Sequence, residues 1–124
     1  MIERYETAAM RDIWSEENKY RTWMDVELAV CHAWAEEGLI PIEAYESIRK
    51  KASFDIDRIK EVESKVHHDV IAFVSCVAAS VGEWGRFIHL GLTSSDVLDT
   101  ASALLLRQSL GIILEELAIL YEEV

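Results

Sequence analysis

Apolar residues recur along this chain at helical spacing, in blocks separated by short polar or glycine-containing breaks. Tyr20, Trp23, Val26, Val30, Ala33 and Trp34 form the first block. Ser15 stands before it as an N-cap, and Glu16 and Glu17 place negative charge where the helix dipole is positive. Gly38 sits where a left-handed residue would close that helix. Pro41 fits the first turn of a second helix ending about Lys51, with Ile42, Tyr45 and Ile48 on its apolar side. Phe54-Asp55 opens a short third helix carrying Ile56, Ile59 and Val62.

From Asp69 the pattern changes. Val70, Ile71, Phe73, Val74, Val77, Ala78 and Val81 make a segment apolar nearly all round, which predicts a buried helix. Gly82 and Gly85 bracket a break, and Phe87-Ile88-His89-Leu90-Gly91 reads as a short irregular or extended link. Thr93-Ser94-Ser95-Asp96 then supplies hydroxyls and an acid where the longest pattern begins. Val97, Leu98, Ala101, Leu104, Leu105, Leu106, Ile112, Ile113, Leu117 and Leu120 carry it to the end. Gly111 inside it costs about 1 kcal/mol of helix propensity and weakens the case for an unbroken rod. A helix of about 30 residues would extend about 45 Å. The preceding helices are too short to cover it. Its apolar faces therefore either meet helices of other copies or belong to a chain that continues past Val124, and the second reading is preferred. The expected fold class is all-α.

Composition narrows the function classes. The 124 residues are one domain's worth of chain. Twelve basic against 23 acidic side chains give a net charge of −11, which excludes a generic nucleic-acid binder. A hydrophobic fraction of 51% excludes a disordered acidic tail. Five glycines and one proline argue against a sandwich or barrel of many short strands. Cys31 and Cys76 lie far apart in apolar helical patterns and read as buried, reduced thiols of a cytoplasmic protein. The opening Met1-Ile2-Glu3-Arg4-Tyr5 is too charged for a signal peptide. No apolar run approaches the ~18 residues that span a bilayer, so no membrane is expected as a partner.

His67-His68-Asp69 is the densest ionisable group, placed just before the buried helix. Adjacent helical residues point about 100° apart, so the two histidines cannot share one face. An imidazole beside Asp69 could exchange protons near neutral pH, or simply cap the helix. His32, His67, His68, His89 and the cysteines form no recognisable metal-ligand spacing. Thr93 and Ser94 could bind an anion with the free N–H groups of a helix start, or serve as an ordinary cap. An anion would need local positive charge against the acidic field, which Arg4, Lys65, Arg86, His68 and His89 could supply if gathered. Arg4-Tyr5 alone reads as a frayed end, and Trp14, Trp23 and Trp34 as core or interface packing. Glu115-Glu116 and Glu122-Glu123 read as a solvated face. Glycine-rich phosphate loops, G-x-S-x-G elbows and CxxC pairs are missing.

In order along the chain, three segments carry a resemblance. They are Arg4-Tyr5, the run His67-His68-Asp69-Val70-Ile71-Ala72-Phe73, and the run Gly91-Leu92-Thr93-Ser94-Ser95-Asp96-Val97-Leu98-Asp99-Thr100-Ala101. Together they resemble the adenylosuccinate lyases of the fumarase/aspartase superfamily. The G-L-T-S-S-D-x-x-D-T-A run is a superfamily signal, and the R-Y start and H-D-V-I-A-F segment narrow it to the purine branch. The resemblance divides the chain into residues 1–92, an N-terminal helical domain, and 93–124, the start of a central helical bundle.

The resemblance implies a nearly all-helical, cytoplasmic homotetramer without metal or organic cofactor, acting in purine and AMP biosynthesis. It implies cleavage of succinyl-AMP to AMP and fumarate, and of the succinylated aminoimidazole carboxamide ribotide. Arg4 and Tyr5 would contact the nucleotide; His67, His68 and Asp69 would line the pocket, with His68 protonating or orienting the leaving nitrogen. Thr93 and Ser94 would hold an anionic group, with His89 near the phosphate. The family's second catalytic histidine and its mobile serine loop, which supplies the base, lie later in the family sequence and outside these residues. The 124 residues alone are therefore expected to be inactive. The rivals are a carboxymuconate cycloisomerase or related lyase, and a non-catalytic helical interaction domain.

Overall fold

Every predicted helix begins on a side chain or backbone group that satisfies its first N–H donors. The computed structural model describes residues 2–124; Met1 lies outside them. The described residues form α1 (Ala8–Ile13), α2 (Glu16–Glu36), α3 (Ile42–Lys51), α4 (Ile56–Val66), α5 (Asp69–Val81) and α6 (Ser94–Glu123), with no strand. Short 3-10 turns occupy Glu3–Tyr5 and Glu83–Phe87. The fold is all-α.

Ser15 Oγ accepts the Asn18 N–H at the start of α2, and Gly38, at φ +71°, follows its end. Asp55 Oδ1 accepts the Arg58 N–H at the start of α4. Pro41 stands one position outside α3 and not within its first turn. Its ψ of 142° is extended, and its carbonyl accepts from the N–H groups of Ala44 and Tyr45. The sequence gives little notice of α1, whose six residues are capped by Thr7 Oγ1 on the Met10 N–H.

α5 is buried along one side and not all round. Val70, Ala72, Phe73, Val77 and Val81 are buried, whereas Ile71 is 50% exposed. Phe73 is the centre of the core, stacked on Tyr20 at 5.7 Å between ring centroids and edge-on to Trp23 at 5.5 Å. Phe54, Ile59 and Val97 close the same cluster from the link before α4, from α4 and from α6. Pairs at these distances add about 0.5–1.5 kcal/mol beyond their burial.

The link after α5 is more regular than its sequence suggests. Residues Glu83–Phe87 turn as a 3-10 helix because Gly85 lies against α5, where a Cβ would meet the Ala78 carbonyl oxygen at 2.3 Å. α6 continues for 30 residues through Gly111, whose missing side chain would meet open space. Its N-terminal half packs on α2 through Val97, Ala101 and Leu105. Beyond Ser109 its leucines and isoleucines, Leu110, Ile113, Leu114, Leu117, Ile119 and Leu120, are exposed. No helix among the described residues is long and apolar enough to cross a membrane.

Candidate active site

The junction between α4 and α5 is built by the two histidines. His67 ends α4 in the left-handed region, at φ 53°, which reverses the chain between the helices. His68 follows in extended conformation as the N-cap of α5, its Nδ1 accepting the Ile71 N–H at 3.3 Å. Asp69 Oδ1 accepts the Val70 N–H at 2.7 Å and lies 3.7 Å from His68 Nδ1. An imidazole that accepts at Nδ1 carries its neutral-form proton on Nε2. His68 therefore offers an Nε2–H donor, and both histidines are exposed. Capping and proton donation are compatible here, because they use different nitrogens.

His89 is held differently. Its backbone is also left-handed, at φ 65°, and its N–H donates to Glu27 Oε2 at 2.8 Å. Its Nδ1 lies 2.6 Å from Glu27 Oε1. Glu27 is only 2% exposed, so this carboxyl is inside the protein with both oxygens partnered by one residue. One helical face of α2 grips the rest of this turn. Trp34 Nε1 donates to the Leu90 carbonyl at 2.9 Å, and Cys31 Sγ to that of Phe87 at 3.6 Å. Burial, with the Glu27 charge second, pushes the Cys31 thiol up to about 11.

Thr93 precedes α6, its N–H donating to Asp96 Oδ2 at 2.8 Å in the return half of a capping box. The hydroxyls of Thr93 and Ser94 thus stand at the positive end of a 30-residue helix, but the Asp96 carboxylate already occupies part of that field. Arg4 and Tyr5 lie in the first 3-10 turn, both exposed, with the guanidinium 4.9 Å from the Tyr5 ring centroid.

The positive groups are engaged locally. Lys65 pairs with Glu61, Arg86 lies over the Trp84 and Phe87 rings, and His89 is held by Glu27. Among the described residues, no hydrogen bond or ion pair joins Arg4-Tyr5, the 67–69 junction and the 89–94 segment to one another. In this structure they stand as three separate local features. A groove of about 520 Å³ between α2 and α6 is lined largely by apolar side chains, among them Val26, Ala29, Val30 and Leu92. Asp25, Asp96 and Thr100 are the acidic and hydroxyl side chains on its wall. His67 lines an open depression with Lys60, Glu63 and Ser64.

Glu27 escaped the sequence reading. The signal was present, since a single carboxyl lies on the apolar stripe of Trp23, Cys31 and Trp34, at i−4, i+4 and i+7. A buried acid in such a stripe needs a partner, but the sequence does not say that the partner is His89, 62 residues on.

The described residues thus form a bundle of helices without a strand, with His68 capping the start of α5 and Thr93 the start of α6. The profile of the family described as "Lyase" matches residues 3–123, and the chain belongs to that family. Among curated relatives, the chain is 53% identical over 127 residues to adenylosuccinate lyase of Aquifex aeolicus, covering 100% of this chain and 29% of that protein. It is 57% identical to the adenylosuccinate lyase of Synechocystis, covering 94% and 27%, and 49% identical to that of Bacillus subtilis, also covering 94% and 27%. The chain thus spans under a third of the length of these relatives. Its backbone is similar to β-carboxy-cis,cis-muconate cycloisomerase of Acinetobacter calcoaceticus, with a TM-score of 0.81 at 27% identity over 94% of this chain and 29% of that one. It is also similar to a fumarate lyase of Mesorhizobium, with a TM-score of 0.77 at 28% identity over 84% of this chain and 25% of that one.

Proposed function

We propose that these residues are the N-terminal part of an adenylosuccinate lyase, which eliminates fumarate from succinyl-AMP and from the succinylated aminoimidazole carboxamide ribotide. The carrying observation is His68, whose Nδ1 caps α5 and whose Nε2 is left to donate a proton. The departing purine nitrogen needs a proton, and a positioned imidazole supplies one. Loss of the proton beside a carboxylate builds a dianion, which fixed donors must stabilise. Thr93 and Ser94 at the start of α6 are suited to an anionic group of the substrate, and His89 to the phosphate. Arg4 and Tyr5 are assigned to the nucleotide, and His67 and Asp69 to the wall beside His68.

The identities of 49–57% to adenylosuccinate lyases support this substrate over the cycloisomerase reading, which rests on a backbone likeness at 27% identity. Residues 1–92 act in this reading as the N-terminal domain and 93–124 as the first part of a central bundle helix. The enzyme is a cytoplasmic homotetramer needing no metal or cofactor, and its base and second histidine come from outside these residues. Residues 1–124 alone then hold part of a site and do not turn over.

The test compares succinyl-AMP with β-carboxy-cis,cis-muconate, using both the full-length enzyme and residues 1–124. Fumarate released from succinyl-AMP by the long form only is the expected result. Consumption of the muconate instead, or turnover by residues 1–124, would overturn the corresponding part of the reading.

A further inference from the structure

The Glu27 carboxyl is the most deeply buried acid in the described chain, and both its oxygens are spent on His89. A carboxylate can only accept, so the proton between Glu27 Oε1 and His89 belongs to Nδ1. That arrangement is opposite to that of His68, whose Nδ1 accepts from the backbone. With Nδ1 committed to Glu27, Nε2 is the nitrogen left for a ligand, an acceptor in the neutral ring and a donor in the imidazolium. Glu27 also holds the His89 N–H, at a left-handed φ of 65° that residues with a Cβ adopt uncommonly. Trp34 fixes the next carbonyl, and at Gly91 a Cβ would come within 3.1 Å of the Trp34 ring.

We propose that Glu27 is a positioning residue of the anion site, acting wholly through His89. From inside α2 it sets the backbone, ring orientation and tautomer of that imidazole, so that Nε2 is the nitrogen left for an anionic group of the substrate, which it meets as a donor when the ring takes up a proton. This inference rests on the proposed function only for the identity of the anion. The substitution Glu27→Gln keeps the shape and leaves an oxygen to accept the His89 N–H, but the new amide donates towards Nδ1 and reverses the tautomer.

The full-length enzyme, labelled with ¹⁵N in its histidine rings, tests the tautomer without reference to activity. The expected result is one ring with its neutral-form proton on Nδ1, lost from the spectrum in H89Q and switched to Nε2–H in E27Q. Kinetics on the same proteins with succinyl-AMP test the role. E27Q should raise KM about tenfold, the scale of the charge-assisted hydrogen bond from His89 Nδ1–H to Glu27 that supports the ring while it donates from Nε2, with kcat within about twofold. E27D should recover part of the loss. E27Q/H89Q should be no worse than H89Q alone, because residues acting as one unit are not additive. Additive losses, or a fall in kcat matched by a fall in melting temperature in E27Q, would show Glu27 to be structural and overturn the proposal. An unchanged ring spectrum in E27Q would also overturn it. A protein with the expected spectra but no turnover of succinyl-AMP would keep the Glu27–His89 geometry and reject the lyase reading.

Discussion

An imidazole that caps a helix has spent one nitrogen on the backbone, so its chemistry is confined to the other. His68 is in that position on α5, capping the Ile71 N–H, and its neighbour Asp69 accepts the preceding N–H, that of Val70. The sequence placed both residues at a helix start, and it posed capping and proton transfer as alternatives. The structure shows why they need not exclude each other, which spacing alone could not. Two further consequences belong at this scale. Burial disfavours the thiolate, so Cys31, raised from 9.0 to about 11, should be alkylated about a hundredfold more slowly at pH 8 than an ordinary thiol. Cys76, half-buried and raised less, should react first. Mass-resolved iodoacetamide labelling of native protein checks the order, and equal labelling of both thiols would contradict it. Gly91→Ala should cost about 1–2 kcal/mol through its φ of 75° alone, read as a lowered denaturant midpoint.

At the scale of elements, the caps and stripes of α2 to α6 were legible because each is local: Ser15, Asp55 and Thr93 lie within three residues of the donors or acids they pair with. The short α1 was not, since six residues with little apolar period leave almost no signal. The close seat of Gly85 on α5 was also hidden, because it depends on two segments meeting. Gly85→Ala should therefore destabilise by about 1–3 kcal/mol, as overpacking against backbone does, whereas Gly111→Ala, in open space within α6, should stabilise slightly. Chemical denaturation of the two variants checks the contrast. α2 and α4 are joined at the surface by Lys60 and Glu16, 2.7 Å apart. The hydrogen bond from Lys60 holds the Glu16 carboxyl below its ordinary 4.5. A carboxyl lowered on folding contributes above its unfolded value and loses that contribution as pH falls through the folded one. The small difference in melting temperature between wild type and Lys60→Met should hence be present at pH 7 and fade below about pH 4.

For the whole molecule, the unequal two halves of α6 matter most. The first half is fixed against α2, while the second carries exposed Leu110, Leu114, Leu117 and Leu120 along an apolar stripe. Periodicity gave that stripe, but which part is covered depends on where the other helices stop. A surface of this kind favours association, so residues 1–124 should show a mass that rises with concentration in light scattering. Leu114→Glu with Leu117→Glu should lower it, and a strictly monomeric wild type would contradict the expectation. The separate placing of Arg4-Tyr5, the His67-His68 junction and the His89-to-Ser94 segment has the same origin. Each is built by its own contacts, those of the last reaching to Glu27 in α2.

In the proposed reaction His68 gives the proton to the leaving nitrogen of succinyl-AMP. Its most direct test is fumarate release from succinyl-AMP by the full-length enzyme and by its His68→Gln variant. Loss of a positioned general acid should lower kcat by about 10²–10⁴-fold while the fold, read by circular dichroism, is kept. A folded variant that retains kcat within a few-fold would rule out that role and leave His68 only as the cap of α5.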